Sequence, residues 1–225
     1  MYTVDHGLEV PRPNCRQSED DLGSFYLTDF FELGVTWIFD RGRYYLNAII
    51  SLLGPVERVT ASARKTWERR EGWGGRADVK TPTHSAGVLD FASGAVGTLI
   101  ITSDVYGTGL THIEVYGSEG SPRCIDPNHF GGELYLRKRD SPDLVPVKSQ
   151  FGCNENSRGL GVADMAVAIR NGRPHRASGE MACHVIDIIH RFHKASAQGR
   201  HVHLASSCVR PAPLPVGLAG WEIDD

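Results

Sequence analysis

This sequence of 225 residues has no long apolar run and shows no secretory leader. No uninterrupted apolar stretch approaches the roughly 18 residues that a membrane-spanning helix needs. Residues 1–21 also lack the short apolar core of a signal peptide. We therefore expect a cytoplasmic protein without a membrane partner.

Positive charge is not in excess either. The chain carries 24 Lys and Arg residues against 27 Asp and Glu residues, which gives a formal net charge of −3. A surface that binds nucleic acid needs a basic field to hold the phosphate backbone. The composition therefore predicts no nucleic-acid partner.

Cysteine is sparse and shows no metal-binding or redox spacing. The five cysteines are odd in number and far apart, and no C-x-x-C pair occurs among them. We expect reduced, unpaired thiols, as is typical of a reducing compartment. The residues concerned are Cys15, Cys124, Cys153, Cys183 and Cys208.

The sequence is rich in turn formers, with 25 glycines and 12 prolines. Between them lie short segments that alternate or are apolar throughout, which is the pattern of β-strands. Strands joined by short turns predict a mainly antiparallel sheet. The candidate strands are residues 56–66, 85–91, 95–103, 112–116, 123–125, 133–137 and 144–147, with a last short one at 202–204.

Three segments have the apolar spacing of helices. Residues 44–53 end at Gly54 and Pro55, which stop a helix. Residues 160–169 carry an apolar stripe that we expect to be buried, formed by Val162, Met165, Ala166 and Ile169. Ser178 is the expected N-cap of a longer helix that ends at Gly199, with Glu180 in its first turn. Its expected core face is Ala182, Val185, Ile186, Ile189 and Phe192.

A glycine-rich loop that could hold a dinucleotide is approximated at one place, residues 159–164. The preceding residues are polar, so no strand leads into the loop, and Asp164 at the third glycine position would repel a pyrophosphate. We interpret the segment as a polar helix entry capped by Asn156 or Ser157. The sequence therefore predicts no cofactor-binding residues of its own.

Histidines suggest a metal site only weakly. His190 and His193 share one helix face, and His201 and His203 share one side of a strand, but nothing at a fixed spacing completes a ligand set. His184 points away from the helical pair. We expect no metal site and solvated histidines. No Gly-x-Ser-x-Gly segment occurs, so no Ser-His-Asp arrangement is nominated either.

Asp40 and Tyr44 stand one turn apart where the first helix begins. Two interpretations remain open from spacing alone. Asp40 caps the helix beside a half-buried Tyr44, or the carboxylate and the phenol converge on one small ligand. Arg41 and Arg43 are neighbouring cations that either hold an anionic group or solvate the surface.

Several blocks, in order along the chain, resemble the substrate-domain signature of the Gfo/Idh/MocA oxidoreductases. The resemblance covers some 180 residues, from about Gly34 to Pro215. A fainter echo at residues 6–9, with Pro13 and Asn14, resembles the end of this domain's first strand. The blocks are residues 40–46 (DRGRYYL), 52–56 (LLGPV), 87–98 (GVLDFASGAVGT), 115–120 (VYGSEG), 126–128 (DPN), 130–132 (FGG), 156–166 (NSRGLGVADMA) and 172–180 (GRPHRASGE).

The resemblance implies an α+β fold: an open, mostly antiparallel sheet with helices packed on one face and no N-terminal Rossmann domain. In this family an Asp and a His four residues apart act with a Lys of the nucleotide-binding domain. Asp40 takes the Asp position, whereas Tyr44 replaces the His, so the catalytic candidates are Asp40 and Tyr44. An unperturbed phenol has a pKa of about 10 against about 6.5 for imidazole, so a phenol needs strong activation to act as a base.

Arg41, Arg43 and Tyr45 are the candidate substrate-binding residues. The family reaction is hydride transfer between NAD or NADP and a sugar, polyol or related alcohol. We expect this chain alone neither to bind the nucleotide nor to turn over, because a separate nucleotide-binding domain would have to supply both. The resemblance also implies a homo-oligomer formed through the open sheet face.

The alternative is a non-catalytic sugar-sensing or assembly module that kept this sheet interface. In either case we divide the chain into an entry segment (1–33) with a partial strand, an acidic loop and aromatic residues, an α+β domain (34–215) and a tail (216–225).

Overall fold

The computed structural model describes residues 28–72, 75–105, 107–155, 157–219 and 222–224. Three helices lie wholly within the described residues, α1 (Arg43–Leu53), α2 (Leu160–Asn171) and α3 (Gly179–Gln198). Residues 28–31 are also helical, and a π-helical turn (Ile38–Gly42) leads directly into α1. The described strands are β1 (Val56–Arg64), β2 (Arg69–Gly72), β3 (Gly75–Asp78), β4 (His84–Phe91), β5 (Val96–Thr102), β6 (Ile113–Glu114), β7 (Gly120–Cys124), β8 (Leu134–Lys138), β9 (Leu144–Val147) and β10 (Val202–His203).

The strands form two four-stranded sheets and one separate hairpin. One sheet has the order β10-β1-β4-β5, the other β6-β7-β8-β9, and β2 pairs with β3; every pairing is antiparallel. This confirms the predicted α+β class and its antiparallel character. The strands expected in one sheet are divided between two, because the long segment between β5 and β6 interrupts the ladder. No described helix is long and apolar enough to cross a bilayer.

The core lies between the first sheet and the helices α1 and α3. Alternate residues of the central strands point inward, and Val59, Leu89 and Leu99 are fully buried. Helix α3 packs along β1 and also contacts α1. The helices contribute one apolar face each, with fully buried Leu46, Ile49 and Ile50 from α1 and Ile188, Ile189 and Phe192 from α3.

Local signals for helix ends are confirmed. Ser178 Oγ accepts a hydrogen bond from the Met181 N–H at 3.1 Å, so it caps α3 as expected. Gly199 ends α3 with φ +60°, a left-handed conformation that glycine adopts without steric cost. Helix α1 ends at Leu53, directly before Gly54.

The predicted core face of α3 is partly wrong. Val185, Ile189 and Phe192 are buried as expected, but Ala182 and Ile186 are exposed. The buried face also includes Met181, His184, Ile188 and Ala195. Because the buried stripe contains the polar His184, a pattern of apolar residues alone does not identify it.

The predicted buried stripe of α2 is wrong. Val162 and Ile169 are 72% and 71% exposed, whereas Asp164 and Ala168 on another face are buried. Asp164 is buried because Arg173 and Arg176 bind its carboxylate. The charged contact therefore turns the apolar stripe of α2 towards solvent.

Some expectations fall on residues that the structure does not describe. The partial entry strand, the acidic loop, Cys15 and the aromatic pair Phe25 and Tyr26 lie within residues 1–27, outside the described ranges. Of the remaining aromatic residues, Phe31 is buried and Phe30 stacks on Trp37 with ring centroids 5.0 Å apart. The polar hairpin β2–β3 was not predicted, because its strands lack apolar alternation.

Gly87 on β4 permits the close packing of α3 on the sheet. A Cβ at this position would lie 2.1 Å from the Thr60 carbonyl oxygen of β1 and 2.6 Å from Phe192 Cζ of α3. Both contacts are far inside van der Waals distance, and the first is to backbone that cannot swing away. Even an alanine would therefore force β4, β1 and α3 apart.

We predict that Gly87→Ala lowers the free energy of unfolding by about 3 kcal/mol, the upper range for overpacking. The measurement is urea denaturation followed by circular dichroism. Gly161→Ala is the matched control, because a Cβ there meets no atom within 4 Å and Gly161 lies inside α2. The control should leave the stability unchanged or raise it by up to about 1 kcal/mol. Equal effects of the two variants would contradict the packing argument.

Candidate functional site

Asp40 lies in the middle of the π-helical turn that precedes α1. The chain is already helical at Trp37, so Asp40 is not at a helix start, and α1 has no side-chain cap. The prediction that Asp40 caps the helix is therefore wrong. Its carboxylate is 26% exposed and available to a ligand. Such widened turns occur frequently at functional sites in helices.

Charged and aromatic side chains surround this carboxylate. Arg41 Nε lies 3.2 Å from Asp40 Oδ2, and Arg43 Nη2 lies 3.8 Å from Oδ1. The Arg43 guanidinium stacks 5.4 Å from the Tyr44 ring centroid, and the Arg41 guanidinium lies 5.8 Å from that of Trp37. Four of the five predicted site residues are thus brought together, with Trp37 as an addition that spacing did not reveal.

Tyr45, the fifth predicted residue, points into the fold and is 4% exposed. Its ring stacks on that of His112, with centroids 6.1 Å apart and planes inclined by 16°. Tyr45 is therefore separated from the exposed group of Asp40, Arg41, Arg43 and Tyr44. Sequence spacing could not reveal His112, because it lies on a distant loop before β6.

The helical histidines contact Phe39, which neighbours Asp40. The Phe39 ring lies 5.2 Å from that of His190 and 6.0 Å from that of His193. Burial lowers the pKa of His193, and the positive charge of a protonated His190 would lower it further. Within the described part of the chain, no three potential ligands converge on a metal position.

The glycine-rich segment 159–164 does not fit a dinucleotide. Burial disfavours the ionised form of Asp164, but the Arg176 N–H and the Arg173 and Arg176 guanidinium groups outweigh burial and lower its pKa. The carboxylate therefore remains negative where a pyrophosphate would have to bind. Arg173 and Arg176 also bind Asp224 near the chain end.

The predicted cap of α2 is also not seen in the described residues. Gly159 precedes the helix without a side-chain cap, and Ser157 Oγ donates to the Glu155 carbonyl oxygen at 3.1 Å. Asn156, the other predicted cap, lies outside the described residues.

His184 contradicts the expectation of solvated histidines, because it is fully buried. Its Nε2 accepts the Val56 N–H at 3.0 Å, so the ring proton is on Nδ1 and is donated to Ser206 Oγ at 2.9 Å. The Ser206 hydroxyl in turn donates to Asp187 Oδ2 at 2.9 Å. Serine, histidine and aspartate thus meet, but Nε2 is occupied by backbone and cannot act as the base of a nucleophile.

A surface groove of about 410 Å³ adjoins this chain of hydrogen bonds. It is lined by Glu57, His203 and Ser206 among others and includes none of the residues around Asp40. The residues around Asp40 therefore lie apart from this groove.

Residues 17–123 match the family model of the GFO/IDH/MocA C-terminal domain. A search of curated proteins gave no match.

Solved structures share the fold. An NAD binding oxidoreductase from Klebsiella pneumoniae is 18% identical, with 76% of this chain and 50% of that chain covered and a TM-score of 0.61. A levoglucosan dehydrogenase in complex with NADH and L-sorbose is 17% identical, with 91% and 57% covered and a TM-score of 0.64. The chain thus spans about half the length of the solved structures it matches.

His184 makes the stability of the fold depend on pH. Burial lowers its pKa, although Asp187 and Ser206 oppose the shift. The unfolded chain therefore takes up this proton first, at about pH 6.5. The stabilisation is fully present above that pH and is lost as the pH falls towards the lower pKa of the folded state.

We predict that the free energy of unfolding falls more steeply below about pH 6.5 in the native chain than in His184→Gln. The Gln amide oxygen can accept the Val56 N–H but cannot titrate. Urea denaturation at a series of pH values measures the difference. Identical profiles for the native chain and His184→Gln would contradict the prediction.

Proposed function

We propose that this chain is the substrate-binding and oligomerisation part of an NAD(P)-dependent oxidoreductase. The premise is that residues 17–123 match the family model of the GFO/IDH/MocA C-terminal domain. The single observation that supports this is the partly exposed group of Asp40, Arg41, Arg43 and Tyr44. Asp40 would accept a substrate hydroxyl proton in a hydrogen bond, and Tyr44 would hydrogen-bond the same ligand.

The proposed substrate is a sugar, a polyol or a related alcohol. A carboxylate between two guanidinium groups offers acceptors and donors a few ångströms apart, which suits a molecule with neighbouring hydroxyls. The levoglucosan dehydrogenase of similar fold is in complex with L-sorbose. Arg41 and Arg43 would additionally favour a substrate that carries a carboxylate.

The nicotinamide nucleotide is proposed to bind on another domain. It would supply or accept the hydride, whereas the residues of this chain bind and orient the alcohol. Segment 159–164 does not fit the pyrophosphate, because the Asp164 carboxylate lies there in its ionised form. The open position of Asp40 and the exposed apolar face of α2 are both consistent with a second domain that covers them.

The oligomer is proposed to form through the outer face of the sheet β10-β1-β4-β5. Thr60, Val88 and Thr98 pair across three neighbouring strands on this face and are half-buried, whereas the inward residues of the same strands are buried. Small and β-branched residues in register form a flat surface that suits a second copy.

A sensing role is the second candidate, and Tyr44 favours it. Its phenol stands where the resembled family has an imidazole, and its ring packs under the Arg43 guanidinium at 5.4 Å. This candidate predicts sugar binding without hydride transfer.

We predict that Asp40→Asn and Tyr44→Phe weaken L-sorbose binding to the purified chain by about ten-fold and a few-fold, respectively. The larger effect follows because a hydrogen bond to a charged group is stronger than one to a neutral group. Isothermal titration calorimetry measures both, and Asp143→Asn in an exposed turn is the control that should bind as the native chain. Binding that is unaffected by Asp40→Asn would contradict the proposed site.

We predict that NADH titrated into the chain gives no saturable change of its fluorescence. A micromolar dissociation constant would contradict the proposal that another domain holds the nucleotide.

The enzyme and the sensor are distinguished by co-expression of this chain with the nucleotide-binding half of the levoglucosan dehydrogenase. NADH oxidation with L-sorbose that disappears in Asp40→Asn supports the enzyme, and sugar binding without oxidation supports the sensor.

A further inference from the structure

A second group of titratable side chains lies beside the interior face of α1, where β6 begins and β7 ends. His112 directly precedes β6, and Asp126 follows β7 by two residues. The two strands are antiparallel, with Ile113 opposite Cys124, so the start of one lies beside the end of the other. Strand pairing therefore brings His112 next to Asp126.

The Asp126 carboxylate faces two imidazoles. Its Oδ2 lies 4.0 Å from His112 Nε2 and 3.4 Å from His129 Nδ1. Its Oδ1 accepts the Asn128 N–H at 3.0 Å, which holds the carboxylate in place. The Asp126 side chain is 18% exposed and that of His112 33%, so both remain accessible to a small molecule.

Tyr45 connects this group with the proposed substrate site. Its ring stacks on His112 at 6.1 Å, and Asp40 lies five residues earlier on the same continuous helical segment. Five residues of helix span roughly 7 Å along the axis. The stack therefore holds His112 against the interior side of the helical segment whose partly exposed side carries Asp40.

A cation and an aromatic ring lie on the two segments that follow Asp126 and precede α2. The loop after Asp126 packs against the segment before α2, since a Cβ on Gly131 would lie 2.0 Å from the Asn154 carbonyl oxygen. This close approach places the Arg158 guanidinium 5.9 Å from the Phe130 ring centroid. Carboxylate, imidazole, guanidinium and aromatic faces together are the groups that bind hydroxyls and the apolar faces of sugars.

We propose that His112 and Asp126 form a further part of the sugar-binding site, in which one substrate hydroxyl bridges them. The 4.0 Å separation of Nε2 and Oδ2 is too long for a direct hydrogen bond. A hydroxyl placed between them donates its proton to Asp126 and accepts from His112 Nε2–H. This inference rests on the proposed function and extends it to specific residues.

The decisive experiment is a titration of the full-length chain, labelled with ¹⁵N-histidine, with L-sorbose. Long-range ¹H–¹⁵N spectra report each imidazole separately. We expect saturable shifts of the His112 nitrogens and none for His201. His201 is the matched control, because its Nδ1 also lies 4.0 Å from a carboxylate oxygen, that of Asp90, away from α1.

Variants measure the contribution to affinity. His112→Ala and Asp126→Asn should weaken L-sorbose binding by about ten-fold, whereas His201→Ala should change it by less than about two-fold. If His112→Ala fails to fold, because the ring packs on Tyr45, His112→Gln and the titration of the native chain decide the question.

The outcomes separate this inference from the proposed function. Binding that depends on Asp40 but leaves the His112 nitrogens unshifted would overturn the role of His112 and retain the substrate site around Asp40. Binding that shifts His112 and is insensitive to Asp40→Asn would overturn the proposed site and retain the pair of His112 and Asp126. The absence of saturable L-sorbose binding by calorimetry, together with unshifted His112 nitrogens, would overturn both.

Discussion

The packing of Phe192 against Gly87 is the contact on which the rest of the fold depends. Because β4 has no side chain at this point, α3 lies directly on the sheet. Helix α3 then presents His190 and His193 to Phe39, which precedes Asp40 in the π-helical turn. The absence of a Cβ at Gly87 permits α3 to lie close to the sheet, and α3 in turn contacts the residue next to Asp40.

Two buried polar side chains organise the periphery of this core. His184 connects α3, the start of β1 and the segment after β10 through Val56, Asp187 and Ser206. Asp164 connects α2 with Arg173, Arg176 and the chain end. A buried polar group is tolerated where its hydrogen bonds are satisfied. Both residues occupy positions where a hydrophobic pattern alone predicts an apolar side chain, and they therefore redirect the faces of their helices.

The proposed functional surface has the opposite character, because it is polar and partly exposed. Asp40, Arg41, Arg43 and Tyr44 are partly exposed and interact mainly with one another. A sugar bound there would contact this chain on one side. The matched part is 50% and 57% of the two similar structures, which is consistent with a second domain on the other side. The proposed pair of His112 and Asp126 would extend the binding surface along the interior side of α1.

What the sequence determined by itself is local. The end of α1 at Gly54, the Ser178 cap, the Gly199 stop and the hairpin β4–β5 depend on residues a few positions apart, and all were predicted. The grouping of Asp40, Arg41, Arg43 and Tyr44 could be anticipated for the same reason, since they lie within one turn. The tertiary structure alone decided the π-helical turn, the burial of His184 and Asp164, and the meeting of His112 with Tyr45 and Asp126. Those contacts join residues from distant segments, and their free energy outweighs the hydrophobic periodicity that a single segment displays.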